Sequence, residues 1–261
     1  MTKRPVFDRL AEGRLSYGSN NTAEAGFDWS DTISADGTMA ARVTGLLRNG
    51  ETEIDGSDND RAFLAGGFTW APSDNTTLTL LGHVQQDART PLIFSPIAGD
   101  DFDPAFGSLP ADFAYRQSDY NHFETTQESL GWELSHQFGE GFLFNQRVRF
   151  AHQTTDYAHL DYSYADAAGL HYYAFRNDED ARTFGIDNNV KWDSQLFGAD
   201  NSLIAASTIN TAAPMSHNST TAPSIPCPTA IRSLTFPWPI RRCRRATAVF
   251  TKKPASTFRT T

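Results

Sequence analysis

The segment SLGWELSHQF, Ser129–Phe138, sets Leu130, Trp132, Leu134, His136 and Phe138 on one side of an extended chain. Ser129, Gly131, Glu133, Ser135 and Gln137 fall on the other. A period of two over this length is the signature of a strand with one apolar face, and it cannot be wound into a helix without scattering that face. The same pattern recurs. FLFNQRVRFAH aligns Phe142, Phe144, Val148 and Phe150 against Asn145, Arg147 and Arg149, and TFGIDNNVKWDSQLF aligns Phe184, Ile186, Val190, Trp192 and Leu196 against Asp187, Asn189, Lys191, Asp193 and Gln195. NTAEAGFDWS, MAARVTGLL, RAFLAGGFTW and TTLTLLGHVQ repeat it earlier in the chain. About eight such segments precede residue 198, and no period of 3.6 interrupts them. The chain is all-β, and the open question is whether its apolar faces meet a protein core or lipid.

The connections bear on that question. SADG (Ser34–Gly37), PSDN (Pro72–Asn75), GEG (Gly139–Gly141) and GADN (Gly198–Asn201) have the Asp, Asn, Gly and Pro chemistry of tight hairpins. Between them fall long connections, read as loops: Asn49–Asp60, Asp87–Thr125 and Thr155–Arg182. Short turns alternating with long loops are the plan of an up-and-down barrel in an outer membrane. Phe27, Trp29, Phe68, Trp70, Phe138, Phe142 and Phe197 lie near strand ends, where aromatic girdles meet the membrane interfaces. The opposite rows hold Arg, Lys, Asp and Glu, which a dry sandwich core accepts only in pairs. Mean hydropathy is −0.46, and no run approaches the ~18 apolar residues of a spanning helix. Neither fact speaks against spanning strands, which expose only alternate residues to lipid. The pattern predicts an antiparallel up-and-down transmembrane β-barrel, present in part as eight or nine strands, with a disordered tail. A soluble β-sandwich binding module and a passive porin-like channel stand as alternatives.

With 31 Asp+Glu against 22 Lys+Arg, the chain carries a formal charge of −9. That sign argues against nucleic acid as a partner. The opening residues MTKRPVFDRL lack an apolar h-region, so no export signal is read in them. No nucleophile elbow, P-loop or dinucleotide fingerprint is present, and neither an enzyme nor a cofactor is expected. His152 and His159 lack the compact Cys/His company of a zinc site. DGSDND (Asp55–Asp60) lacks the later Gly and Glu of a calcium loop. No metal ligands are assigned.

The order of segments resembles the TonB-dependent siderophore receptors, in their ferric hydroxamate (ferrichrome-like) branch. TKRP at Thr2–Pro5 resembles the end of that family's plug domain. GSNNTAEAGFDWSDTISADGTMAARVTGLLRNGETEIDG and FTWAPSDNTTLTLLGHVQQD resemble its first barrel strands. The resemblance covers residues 2–205 and implies an outer-membrane receptor that binds a ferric siderophore outside and draws energy from TonB, with outer-membrane lipid around it. It also implies that a signal peptide, TonB box and plug precede Met1, so that this chain is a fragment, expected to be inactive in transport by itself. In such receptors aromatic side chains in loops and upper lumen hold the iron complex, and rigid rings supply contact area at low entropic cost. The aromatic stretches Asp87–Thr125 and Thr155–Arg182 therefore supply the candidates Phe106, Tyr115, Tyr120, Tyr172 and Tyr173.

Three stretches follow: residues 1–9 as a remnant of the plug-to-barrel junction, 10–205 as the N-terminal part of the barrel, and 206–261 as a tail. Residues 206–261 hold no Asp or Glu, eight Lys+Arg, seven of the thirteen prolines and both cysteines, Cys227 and Cys243. In a neighbouring reading frame, permitted codons turn FTKKPASTFRTT into HEETGLYVQDD, a strand of the family's form. The tail thus reads as an out-of-frame, disordered extension beginning near Ala205.

Overall fold

A computed structural model describes residues 3–53, 57–90, 120–139, 141–166, 169–196, 199–212 and 218–228, with backbone alone for 161–173, 196, 199–200 and 218–228. The described residues form ten strands: β1 (Leu10–Tyr17), β2 (Ala23–Thr32), β3 (Met39–Asn49), β4 (Asn59–Ser73), β5 (Thr76–Arg89), β6 (His122–Phe138), β7 (Phe142–Asp166), β8 (Gly169–Leu196), β9 (Ala199–Ala212) and β10 (Asn218–Pro228). All belong to one antiparallel sheet in which β1 to β8 pair in sequence order. Both β9 and β10 pair with β8, β9 along Thr183–Leu196 and β10 along Gly169–Asp178, so they follow one another on the same edge. Among the described residues no second sheet covers the apolar face, which removes the sandwich.

Burial is inverted relative to a water-soluble sheet. The apolar rows are exposed: Leu130 is 67% accessible, Phe27 50% and Phe150 47%. Opposite them, Asp28 is 6% accessible and Ser30 is sealed, and Thr44, Thr69 and Thr79 are buried as well. A sheet that buries its polar side and displays its rings to the surroundings is arranged for hydrocarbon outside and a polar interior.

Register fixes where that outer face begins and ends. Phe138, Phe142 and Trp192 form its lowest row, with the Phe142 and Trp192 rings stacked at 5.5 Å. Leu130, Phe150 and Phe184 form its uppermost apolar row; in the next row stand Glu128, His152 and Arg182. From Phe142 to Phe150 the chain climbs about 27 Å, or about 20 Å once tilted, close to the about 25 Å apolar band of such barrels. Within the band the outward-facing Gln146 and Asn188 satisfy one another: Trp132 Nε1 donates to Gln146 Oε1 (3.0 Å) and Gln146 Nε2 to Asn188 Oδ1 (2.8 Å).

The short turns fall where the sequence predicts. Between β2 and β3, Ile33 N–H donates to Met39 O (2.8 Å), Gly37 has φ of 74°, and Asp36 Oδ1 accepts from Thr38 N (3.1 Å) and Thr38 Oγ1 (2.9 Å). Ser34 and Thr38 hold the exposed Asp36 carboxyl below its ordinary value. At the β6–β7 turn a side chain on Gly141, whose φ is 91°, would collide with the Asp193 carbonyl.

One expectation is corrected. Thr155–Arg182 is not a loop: β7 runs to Asp166 and β8 starts at Gly169, with Thr155 opposite Glu179 and Tyr157 opposite Asn177. Above the band the outer face turns ionic, so the apolar alternation disappears while the ladder, made by backbone groups, continues. β9 runs through Ala205 to Ala212, and 218–228 form β10. Ile204, Ile209 and the threonines between and beyond are β-branched, and the free edge of β8 accepts any extended segment. Phe197, Cys243 and residues 229–261 lie outside the described residues.

Candidate functional site

The polar face divides into a lower and an upper part. On the lower part residues Lys3–Phe7 cross the sheet as a strap. Lys3 Nζ lies 2.6 Å from Asp28 Oδ2, and the Arg42 guanidinium grips the same carboxylate through Nε (2.8 Å) and Nη2 (2.7 Å). Arg42 Nη1 also donates to the Arg4 carbonyl (2.9 Å), while Arg4 itself makes a two-pronged contact with Glu133 on β6 (2.6 and 2.8 Å). Val6 N–H donates to Ser30 Oγ (3.0 Å) and Thr32 Oγ1 to the Phe7 carbonyl (2.7 Å). Pro5 is buried, and a Cβ on Gly67 would stand 2.9 Å from its Cδ. The alternation that turns Phe and Trp outward on β2, β3 and β6 is what delivers Asp28, Arg42 and Glu133 to this face. The strap carries two cations to two acids on strands far apart in sequence, Asp28 on β2 and Glu133 on β6.

The upper part is built in rows. Glu24 pairs with Arg48 (2.8 Å) and Asp87 with Arg61 (2.6 Å); Gln85 Nε2 donates to Asp87 (2.6 Å) and Arg89 approaches it at 3.4 Å. Arg48 and Arg61 are direct cross-strand neighbours, and each has its own acid. Above this ionic row the wall turns aromatic. Phe123 meets Tyr157 edge-on at 5.5 Å, Tyr157 meets Phe175 at 5.7 Å, and the His159 ring lies 4.9 Å from both Tyr157 and Phe175. His159 is buried. Tyr120 lies beside this group, its Oη 3.4 Å from the Phe175 carbonyl, and burial pushes its hydroxyl pKa up from the ordinary tyrosine value. Asn121 is 2% accessible; its Oδ1 accepts from Leu160 N–H (2.7 Å), and its Nδ2 is sealed without a partner.

Of the candidates predicted from sequence, Tyr120 joins this wall. Tyr172 and Tyr173 lie higher on β8, opposite Tyr162 and Asp161. Phe106 and Tyr115 lie outside the described residues. The cluster Phe123, Tyr157, His159 and Phe175 was not singled out by sequence reasoning, because 155–182 read as a loop. Its signal was present: Tyr157, His159 and Thr155 keep the parity of Arg147 and Arg149, and that parity marks the polar face. His152 stands on the opposite, outer face, 3.0 Å from Asp180. Among the described residues no three His, Cys, Asp or Glu side chains converge as a metal site. The wall offers rings, hydroxyls and cations for binding.

No protein-family model matches the chain. It is 31% identical over 203 residues to the ferrioxamine receptor of Yersinia enterocolitica, covering 74% of this chain and 27% of that protein. It is 31% identical over 157 residues to the ferrichrome outer membrane transporter/phage receptor of Escherichia coli K12, covering 59% of this chain and 21% of that protein. The chain thus spans about a quarter of the length of the relatives it matches. Among solved structures, the closed form of the ferric-catecholate import receptor Fiu of E. coli K12 superimposes with a TM-score of 0.70 at 14% identity, over 86% of this chain and 34% of that one.

Proposed function

We propose that this chain, which belongs to the TonB-dependent siderophore receptors, supplies part of an outer-membrane barrel whose aromatic upper wall contacts a ferric hydroxamate siderophore on its way to TonB-driven uptake. The observation that carries this reading is the inverted sheet: rings face outward through one band and ion pairs face inward through the same band. Above the band, the inward face alone becomes aromatic. An iron complex wrapped in oxygen and methylene groups suits such a surface, since rings give apolar contact and the tyrosine hydroxyls meet oxygen. The relatives' names point to hydroxamate complexes. The strap on the lower wall supports a plugged barrel over an open, passive pore, because it occupies surface that a pore leaves to water.

The test is binding by the full chain in detergent micelles, followed by quenching of its tryptophan fluorescence with ferrioxamine and ferrichrome. Saturable quenching that weakens about tenfold in a Tyr157→Leu/Phe175→Leu variant is the expected result. Equal affinity in parent and variant defeats the aromatic assignment. In cells starved of iron, the chain expressed alone is expected not to restore growth on a hydroxamate siderophore; restored growth contradicts its reading as one part of a larger machine.

A further inference from the structure

The outward face of β1–β5 is not filled to its full height. Small and large residues alternate along the row Leu15, Ala25, Leu47, Ala62 and Gln86, each the register partner of the next. Two adjoining hollows result, of about 810 and 470 Å³, within the about 300–1,000 Å³ range of ligand clefts. Ala25 and Ala62 line both, with Leu47 standing between them. Gly45 keeps the second one open: a Cβ there would collide with the Phe27 ring, and without it the ring lies down on the sheet. Leu47 stands as far up β3 from the β2–β3 turn as Phe150 stands up β7 from the β6–β7 turn. The hollows therefore sit at the upper edge of the apolar band, where hydrocarbon gives way to headgroups.

Continuity and charge identify the occupant. Leu47 and Phe27 belong both to the hollows and to the exposed apolar rows below, so the hollows extend the surface that meets hydrocarbon. A chain of methylenes entering from the band needs no other medium. The rim above has one sign. By register, the outward positions of β1–β5 carry two charges, Asp31 at the lower end and Asp60 at the upper. Asp60 lines the first hollow. Its Oδ1 accepts from Asn49 Nδ2 (3.0 Å) and from Gly50 N–H (3.1 Å), and the described residues set no cation beside it. The connection over it, Asn49–Asp60, holds five acids and neither Lys nor Arg. Such a rim repels an anionic headgroup and attracts an ammonium. The acidity is local, because on the outward face of β6–β8 Arg176, Arg182 and His152 stand among the acids.

We propose that the outward face of β1–β5 holds a glycerophospholipid with a primary ammonium headgroup. One acyl chain lies in the hollows over Ala25 and Ala62, and the ammonium sits at Asp60. Tyr17 and Gln86, which line the same hollow, supply neutral donors for the phosphate. The site is independent of the aromatic wall and rests only on the outward face meeting lipid. It selects by shape through the small residues and by charge through the rim, whereas the smoother rows lower in the band select neither.

The experiment places the full chain in phosphatidylcholine vesicles with a trace of phosphatidylethanolamine or phosphatidylglycerol, each spin-labelled on the acyl chain. Electron spin resonance then reads the motionally restricted fraction. The parent is expected to restrict the ammonium lipid about threefold more strongly than the glycerol lipid. Asp60→Asn keeps the oxygen that accepts from Asn49 and Gly50 but loses the charge; Ala62→Phe fills the hollow and keeps the charge. Each is expected to abolish the preference. Glu128→Gln, which removes an outward charge on β6, is expected to leave it intact. Equal restriction of both lipids by the parent overturns the proposal, as does a preference that survives Asp60→Asn or Ala62→Phe. A preference lost equally in Glu128→Gln also overturns it, because that marks the net charge of the chain. A dimer in micelles that Ala62→Phe dissolves assigns the hollows to a second copy and overturns the lipid. Restriction of no lipid at all defeats the lipid-facing reading of the sheet itself, and the proposal with it.

Discussion

At the scale of single residues, Gly67 shows how one missing Cβ carries a long-range contact. It lets Pro5 lie flat on the sheet, and the strap then brings Lys3 to Asp28 and Arg4 to Glu133. Gly67→Leu is expected to lift the strap while leaving the ladders intact, which limited proteolysis would read as faster cleavage near residues 3–9. Replacing Arg42 by Ala leaves Asp28, 8% exposed at its side chain, with Lys3 as its remaining partner. Breaking such a pair costs about 3 kcal/mol where no other cation substitutes, and Lys3 reduces that figure. Denaturant titrations of R42A and of the R42A/K3A pair measure the difference, and the double change is expected to cost more than the sum of the two. Asp36 supplies the pH dependence. Its carboxyl is held below its ordinary value by Ser34 and Thr38 in the β2–β3 turn. The folded form therefore binds that proton less readily than the unfolded one. The resulting contribution is fully present above the ordinary carboxylate value of about 4 and is lost as pH falls through the lower folded value. Amide exchange at Thr38 and Met39 is expected to quicken over that acidic window, and Asp36→Asn to abolish the dependence.

At the scale of elements, each strand serves two media at once, and its two faces respond differently to the same change. Leu80 on β5 faces outward near the middle of the apolar band, opposite Phe68 and Trp132. Leu80→Arg is expected to cost about 2–4 kcal/mol, because a cation placed there must enter hydrocarbon. Asn145 sits at a similar height on β7 but on the polar face, where it donates to Asn189 (3.1 Å). Asn145→Arg is expected to cost less than about 1.5 kcal/mol, the worth of one hydrogen bond. Unfolding from lipid vesicles in urea compares the two, and equal costs would mean that the outward face does not meet lipid. The strand pair β7–β8 adds a second lesson. With 25 and 28 residues, these strands are far longer than the band needs, and they lift Tyr157, His159 and Phe175 clear of it. Strand continuity above the band is what builds the aromatic wall from a ladder instead of from loops.

At the scale of the whole molecule, the described residues form an open sheet of ten strands, and among them the backbone at the edge of β1 and along β9 and β10 has no strand partner. Neither lipid nor water satisfies such edges as well as another strand does. The full chain is accordingly expected to sediment with membranes or to require detergent, and to self-associate through its edges when detergent is diluted. A cooperatively melting monomer in plain buffer would contradict the arrangement of the entire sheet. The relatives are about four to five times as long as the segments they match.

What the amino-acid order determined by itself is the ladder. A period of two, tight turns at Ser34–Gly37 and Gly139–Gly141, and the rings at Phe138 and Phe142 suffice to place strands, faces and the lower girdle, because each depends on neighbours within a hairpin. What only the tertiary structure decided is where those faces stop being apolar and what then gathers on them. Phe123, Tyr157 and Phe175 belong to three different strands. Such coincidences depend on the registers of separate hairpins against one another. The parity of Tyr157 and His159 marks their face, but no local pattern within residues 155–182 sets which residues of the neighbouring strands they meet, since that depends on register.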